Sequence, residues 1–76
     1  MSTPEERDSN KIIKDILNAA VKEVGRLELM HAVTLSYART AEYIQSLVLD
    51  GLLECRRGGA IYKTTAKGLL WLDSLV

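Results

Sequence analysis

Helical periodicity in this chain gives way to a short extended pattern at Gly51, and this change constrains the fold most. Residues 52–56 and 60–64 are strand candidates, and the segment 57–59 between them carries a glycine pair. Paired glycines supply the positive φ values that a tight turn requires, so the segment predicts a β-hairpin. The fold must therefore combine helices with one hairpin.

Four helices surround the predicted hairpin. Apolar residues at three- and four-residue spacing predict a first helix that follows the N-cap candidates at 8–10 and ends near Gly25. A short helix is expected over 28–33, after a short extended segment at 26–27. A third helix should start after Ser36 and run to about residue 50. The last helix, capped by Thr64 or Thr65, should run to residue 76.

The order helix, short helix, helix, hairpin, helix is that of a winged helix-turn-helix. The predicted fold class is α+β and mainly α, with a three-helix core, a two-stranded wing and a C-terminal helix. In this arrangement the third helix, here 36–50, usually enters the major groove, and the wing, here 52–64, lies on the DNA backbone. Residues 1–8 are predicted to be a disordered tail, and residues 9–76 the domain.

Charge and composition bear on the function classes. The 76 residues fit one small domain and carry ten basic and ten acidic side chains, a balance that counts against nucleic-acid binding. Residues 51–76, however, carry four basic and two acidic side chains. The local excess falls on the hairpin, so neutrality weakens the DNA interpretation without removing it.

Catalysis, metal binding and membrane insertion find no support in the sequence. The single cysteine, Cys55, and the single histidine, His31, cannot complete a closed zinc shell, and both are expected to be structural. No nucleotide loop or other cofactor motif is found, so neither an enzyme nor a cofactor is predicted. No apolar run approaches the roughly 20 residues of a membrane span, and no signal peptide is seen. A cytoplasmic protein with no evident small-molecule ligand is expected.

The segments "LMHAVTLSYARTAEYIQSLVLDGLLE" and "YKTTAKGLLWL" resemble the small winged-helix DNA-binding proteins of archaea, which are predicted transcriptional regulators and chromatin-associated proteins. The resemblance covers about residues 11–75. The matching positions are Leu29, Met30, Leu35, Ser36, Tyr37, Tyr43, Leu47, Gly51, Leu52, Tyr62, Thr65, Lys67, Gly68 and Leu69. The resemblance implies DNA binding and transcriptional regulation in an archaeal cell. Small winged-helix proteins of archaeal viruses share the pattern, so a cell infected by such a virus is the other setting that it implies.

The sequence departs from this pattern at three positions. His31 stands where an aromatic residue is typical, Ala41 where a larger apolar residue is typical, and Thr34 where Asn is common. The surface of the third helix is also less basic than usual. Relatives that dimerise through a long C-terminal coiled coil have a longer tail, so that dimer mode is not carried over.

The exposed face of the predicted third helix supplies the first candidate DNA contacts. A helical wheel places Tyr37, Ala41, Ile44, Leu47 and Val48 on the core side and Ala38, Arg39, Glu42, Gln45 and Ser46 opposite, with Tyr43 at the edge. Arg39 could pair with guanine, and its alternative is a solvated arginine paired with an acid such as Glu42. Ser36 should cap the helix, and the Tyr37 hydroxyl could reach a phosphate from the core. Tyr43 and Ser46 are weaker candidates.

The hairpin supplies the second group of candidates. Arg56, Arg57 and Lys63 would neutralise phosphates or enter the minor groove. The alternative is that these charges keep an exposed sheet edge soluble. DNA binding is the favoured interpretation.

The last helix is apolar around most of its circumference. One stripe should cover the first helix, and the remainder predicts a homodimer interface of Leu69, Trp71, Leu72 and Leu75, with Trp71 as the anchor. The alternatives are that the excess closes a small core or that it faces lipid.

The sequence thus predicts a homodimeric, sequence-preferring regulator of transcription that binds double-stranded DNA. A role in chromosome architecture is the alternative to transcriptional regulation. The rival hypothesis is a winged-helix module for protein–protein interaction that does not bind DNA. Neutral charge, Glu42 on the recognition face and the apolar last helix favour the rival.

Overall fold

The computed structural model describes residues 4–33 and 35–74, with side chains from Asn10 onward. Its elements are α1 (Pro4–Ala19), β1 (Val24–Gly25), α2 (Arg26–His31), α3 (Tyr37–Leu49), β2 (Leu53–Arg56), β3 (Ile61–Thr64) and α4 (Ala66–Asp73). A 3₁₀ turn, Arg57–Gly59, joins β2 to β3. The order confirms the predicted α+β winged helix-turn-helix.

The sheet has one strand more than the predicted two-stranded wing. The three strands form an antiparallel sheet in the order β1-β3-β2, in which Val24 pairs with Tyr62 and Gly25 with Ile61. Residues 26–27, predicted to be extended, instead open α2, and the extended segment lies just before them. A two-residue strand has no sequence period, so its existence depends on the pairing with β3.

Helix α1 starts and stops earlier than the apolar pattern indicates. It begins at Pro4, so residues 4–8 are helical and not the predicted tail; residues 1–3 lie outside the described part of the chain. It ends at Ala19 and not near Gly25. The carbonyl oxygen of Ala20 accepts from the Thr64 N–H at 2.9 Å, which turns the chain into the sheet. A contact with the distant strand β3 thus accompanies the end of the helix.

Helix α3 has the predicted caps. The Ser36 hydroxyl accepts from the Arg39 N–H at 3.3 Å. At the other end, the Leu52 N–H donates to the Leu47 carbonyl and the Gly51 N–H to the Val48 carbonyl, at 3.0 and 3.1 Å. With Gly51 at φ +77°, this is a Schellman motif, which glycine adopts without a Cβ penalty. The third helix is therefore fixed at both ends by local chemistry.

The core is mainly aliphatic and contains two threonine hydroxyls that are hydrogen-bonded. Ile16 and Leu17 of α1, Leu29 of α2 and Leu53 of β2 are fully or almost fully buried. The remaining buried apolar side chains are Ala20, Val33, Ile44, Leu47, Leu52 and Tyr62. The buried Thr64 hydroxyl donates to the Leu17 carbonyl at 2.6 Å, joining the sheet to α1. The second buried hydroxyl, Thr40, donates to the Ser36 carbonyl at 2.9 Å.

Helix α4 is tied to the end of α3. Its N-cap is Thr65, whose hydroxyl accepts from the Gly68 N–H at 3.1 Å and donates to the Gly51 carbonyl at 2.6 Å. The Lys67 ammonium donates to the Asp50 carbonyl at 2.8 Å, where a cation suits the negative end of the α3 dipole. The helix was predicted to reach residue 76; it is described to Asp73, with Ser74 as its C-cap.

Candidate nucleic-acid interface

One face of α3 is exposed, as the helical wheel predicts. Ala38, Arg39, Glu42, Gln45 and Ser46 are all exposed, while Ile44 and Leu47 are buried on the opposite side. Arg39 lies in the first turn, and no ion pair involves it among the described side chains, from residue 10 onward. Pairing with Glu42, the alternative to a DNA role, is therefore absent from the described structure. The guanidinium is available to an external acceptor.

Tyr37 does not lie in the core, which corrects the wheel. It is 61% exposed, and the Arg26 guanidinium carbon lies 5.2 Å from its ring centroid. This distance is typical of a cation–π contact. Because Tyr37 is the first residue of α3, the contact places a cation beside the start of the helix. Arg26 was missed from the sequence, since it precedes Tyr37 by eleven positions.

The other candidates on α3 differ in exposure. Tyr43 is half-buried and packs against the core, so part of its side chain contacts the protein itself and is not open to an external partner. Ser46 is exposed, and Ser36 is exposed and caps the helix. Leu49, at the last turn, is the most exposed large apolar side chain of α3.

Arg57 lies at the tip of the wing. It adopts φ +52°, in the left-handed region, followed by Gly58 at +64° and Gly59 at +96°. The side chain is exposed, and no carboxylate lies within ion-pair distance of it among the described side chains. Lys63 is half-buried and lies opposite Glu54 in the strand register. The wing tip thus presents one uncompensated arginine.

Arg56 has carboxylate partners, in contrast to Arg57. Its two terminal nitrogens donate to Glu23 Oε1 and, at 3.2 Å, to Glu54 Oε2. The three side chains are between 43% and 48% exposed. Glu54 first, and then Glu23, raise the pKa of the Arg56 guanidinium above its usual value. A phosphate would have to compete with two carboxylates for this side chain.

A groove of about 300 Å³ separates α3 from the wing. Ala41, Gln45 and Val48 line it from the helix, and Cys55 and Tyr62 from the sheet, with Arg26 also at its wall. Cys55 and Tyr62 are cross-strand partners. Burial, with a smaller effect of Cys55, raises the pKa of the Tyr62 phenol.

The described residues offer no metal centre. His31 and Cys55 are both exposed, and among the side chains described, those of residues 10–33 and 35–74, no group of three or more His, Cys, Asp or Glu could hold an ion. None of the helices in these ranges is long and apolar enough to cross a membrane.

The predicted dimer residues on α4 separate into two sets. Trp71 and Leu72 are half-buried and pack against the protein's own core, whereas Leu69 is exposed. Leu70, which the prediction omitted, is more exposed still, at 69%. Leu75 lies outside the described residues. An open groove of about 530 Å³ between α1 and α4 is lined by Val21, Leu69, Leu70 and Leu72.

The helix pair α2–α3, followed by a hairpin and packed on α1, defines a winged helix-turn-helix domain. A family model described as "Winged helix-turn-helix" matches residues 6–76, and the chain belongs to this family. The membership indicates DNA binding, and domains of this class are typically not enzymes. A search of curated proteins finds no match.

Proposed function

We propose that this protein is a sequence-preferring regulator of transcription that binds double-stranded DNA as a homodimer. Helix α3 enters the major groove, and the wing lies on the flanking backbone. The observation that carries the proposal is the pair of uncompensated arginines, Arg39 on the exposed face of α3 and Arg57 at the wing tip.

Sequence preference is proposed because the base-reading face carries opposite charges. Arg39 can donate two hydrogen bonds to guanine O6 and N7, and Glu42, one turn further along, can accept from cytosine N4. A carboxylate on this face opposes uniform attraction to phosphate. The combination favours a regulator that selects sites over a protein that coats DNA.

The contacts outside α3 position the domain on the duplex. Arg57 and Lys63 from the wing and the Ser36-capped start of α3 face phosphates in this proposal. Arg26, held against Tyr37, adds a cation at the same end of α3. Backbone contacts of this kind set orientation and register without reading the sequence.

The proposed dimer forms through the groove between α1 and α4. Leu69 and Leu70 are exposed beside Val21, in a place where a monomer would leave apolar side chains in water. A second copy of the chain would cover them with the same surface, as a two-fold interface requires.

Binding of duplex DNA across a salt series tests the proposed function. Arg57→Ala should flatten the log–log salt slope by about 0.9 per subunit, because one phosphate contact is lost. Arg39→Ala should weaken binding to a selected site by about 1–3 kcal/mol and weaken binding to random DNA much less. Lys14→Ala, which removes an exposed cation from α1, serves as the control and should leave both properties unchanged.

The competing function is a protein-interaction module. The zero net charge, Glu42 on α3 and the carboxylates around Arg56 favour it. Unmeasurable binding of the folded wild type to a random-sequence duplex pool at roughly 50 mM salt would reject DNA binding and support this alternative.

A further inference from the structure

Arg56 is set apart from the other arginines whose side chains the structure describes. Arg26, Arg39 and Arg57 have no carboxylate within ion-pair distance there, whereas Arg56 has two. Two carboxylates accept from this one guanidinium, and Lys63 lies opposite Glu54 on β3. The charge of Arg56, at the tip end of β2, is therefore offset by carboxylates, whereas the charge of Arg57 is not.

We infer that Glu23 and Glu54 withhold Arg56 from DNA and thereby limit the affinity of the wing for phosphate. The inference rests on the proposed function and deepens it, since it divides the basic cluster of the wing into one contacting arginine, Arg57, and one restrained arginine, Arg56. Both terminal nitrogens of Arg56 already donate to carboxylate oxygens. A phosphate must displace these acceptors and also approach two negative charges.

The restraint also crosses the sheet. Arg56 is on β2, an outer strand, and Glu23 immediately precedes β1, the other outer strand, with β3 between them. Arg56 lies opposite Ile61, which itself lies opposite Gly25. The ion pair therefore spans all three strands, and the position of the guanidinium is set by the body of the domain rather than by the wing alone.

Charge-neutral replacement of the carboxylates tests the inference. Glu23→Gln, Glu54→Gln and the double variant retain side-chain size and hydrogen-bonding capacity, so the fold should persist, which far-UV circular dichroism checks. The matched control is Glu28→Gln, which removes one exposed negative charge from α2 without contact to Arg56. Each protein is titrated with a labelled random-sequence duplex at several salt concentrations.

The double variant should bind at least about tenfold more tightly than the wild type at low salt. Its log–log salt slope should be steeper by about 0.9 per subunit, because Arg56 gains one phosphate contact. Glu28→Gln should show little tightening and an unchanged slope. Adding Arg56→Ala to the double variant should remove the gain in slope, since the released cation is then absent.

Each outcome decides the inference. A double variant that binds no more tightly than Glu28→Gln, or whose steeper slope survives Arg56→Ala, overturns it while leaving DNA binding intact. Binding by the double variant without measurable binding by the wild type at roughly 50 mM salt rejects DNA binding as the function of the wild type, and the inference fails with it. If neither protein binds the duplex at roughly 50 mM salt, the proposed function fails and the inference fails with it.

Discussion

Gly68 illustrates how much one residue can determine in a small domain. A Cβ at this position would collide with the Leu52 carbonyl oxygen and lie 2.6 Å from Thr64 Cγ2. The missing side chain lets α4 approach the backbone at the base of the wing. The requirement is steric, since a helix alone would favour alanine over glycine by about 1 kcal/mol.

Gly68→Ala should therefore destabilise the domain despite its higher helix propensity. We expect a loss of about 1–3 kcal/mol in the free energy of unfolding, as for other overpacked sites. Denaturant melts measure this loss. Gly25→Ala is the control, because Gly25 has a φ of −75° and a Cβ there would meet its nearest neighbours at 3.8 and 3.9 Å, ordinary contact distances. A Gly68→Ala variant as stable as the wild type would contradict the close packing.

At the scale of residues, the sequence predicts which side chains are exposed better than it predicts which side chains form ion pairs or ring contacts. The exposed positions of α3, including Arg39, follow from the helical period. The partners of Arg56 do not, because Glu23 is 33 positions away and meets it only when the sheet forms. Tyr37 was misplaced because the wheel treats a helix as buried along its whole length, whereas the first residue of α3 is exposed and its ring contacts Arg26.

At the scale of elements, the junction between α3 and α4 is a small hydrogen-bonded network. Thr65 serves two helices at once, as the N-cap of α4 and as a donor to the Gly51 carbonyl just beyond α3. Lys67 satisfies the adjacent Asp50 carbonyl. The end of one helix and the start of the next are thereby stabilised by the same few groups.

Thr65→Ala should lower the free energy of unfolding by about 1–2 kcal/mol, since it removes a cap and the donor to Gly51. Thr65→Ser keeps the hydroxyl and should recover most of the loss. Hydrogen exchange at the Gly68 amide provides a local readout, which should accelerate in the alanine variant relative to the serine variant. Equal stability of the two variants would show that the hydroxyl contributes nothing.

Elements with strong local signals were predictable, and elements made by distant pairing were not. The extent of α3 follows from Ser36, the apolar period and Gly51, all within the segment itself. The hairpin follows from its glycine pair. By contrast, β1 and the end of α1 at Ala19 both depend on β3, about forty residues later in the chain. A local sequence pattern does not indicate a contact between such distant segments.

At the scale of the whole molecule, the proposed dimer makes a prediction about mass. Leu70→Lys should convert the wild-type dimer to a monomer of 8.4 kDa, because a lysine in each copy would face the other in an apolar interface. Sedimentation equilibrium measures the mass directly. The control is Leu27→Lys on α2, where the leucine is similarly exposed, at 72%, but lies outside the groove.

A wild type that stays monomeric at all concentrations would refute the dimer, and a Leu70→Lys variant that stays dimeric would place the interface elsewhere. A dimer also implies two half-sites about 10–10.5 bp apart, or a multiple of that distance. The sequence could not predict which leucines of α4 are exposed. A helical wheel shows apolar residues around most of this helix and does not identify the side that packs against the core.

The hydrogen bonds at the base of the wing have a consequence for how such a protein can diverge. In addition to the hydrogen bonds of its hydroxyl, Thr65 donates its N–H to the Leu52 carbonyl at 3.1 Å. The residue before β2 and the residue after β3 are therefore held together by a backbone hydrogen bond. Between these anchors β2 and β3 are fixed by strand pairing, but the turn between Arg56 and Ile61 lies outside that pairing. Residues added at the tip would extend the reach of the wing along a duplex while α3 and α4 kept their relative positions, and the entropic cost of a longer loop grows only slowly. The length of DNA that the wing could cover can therefore change in evolution while the packing of α3 and α4 stays the same.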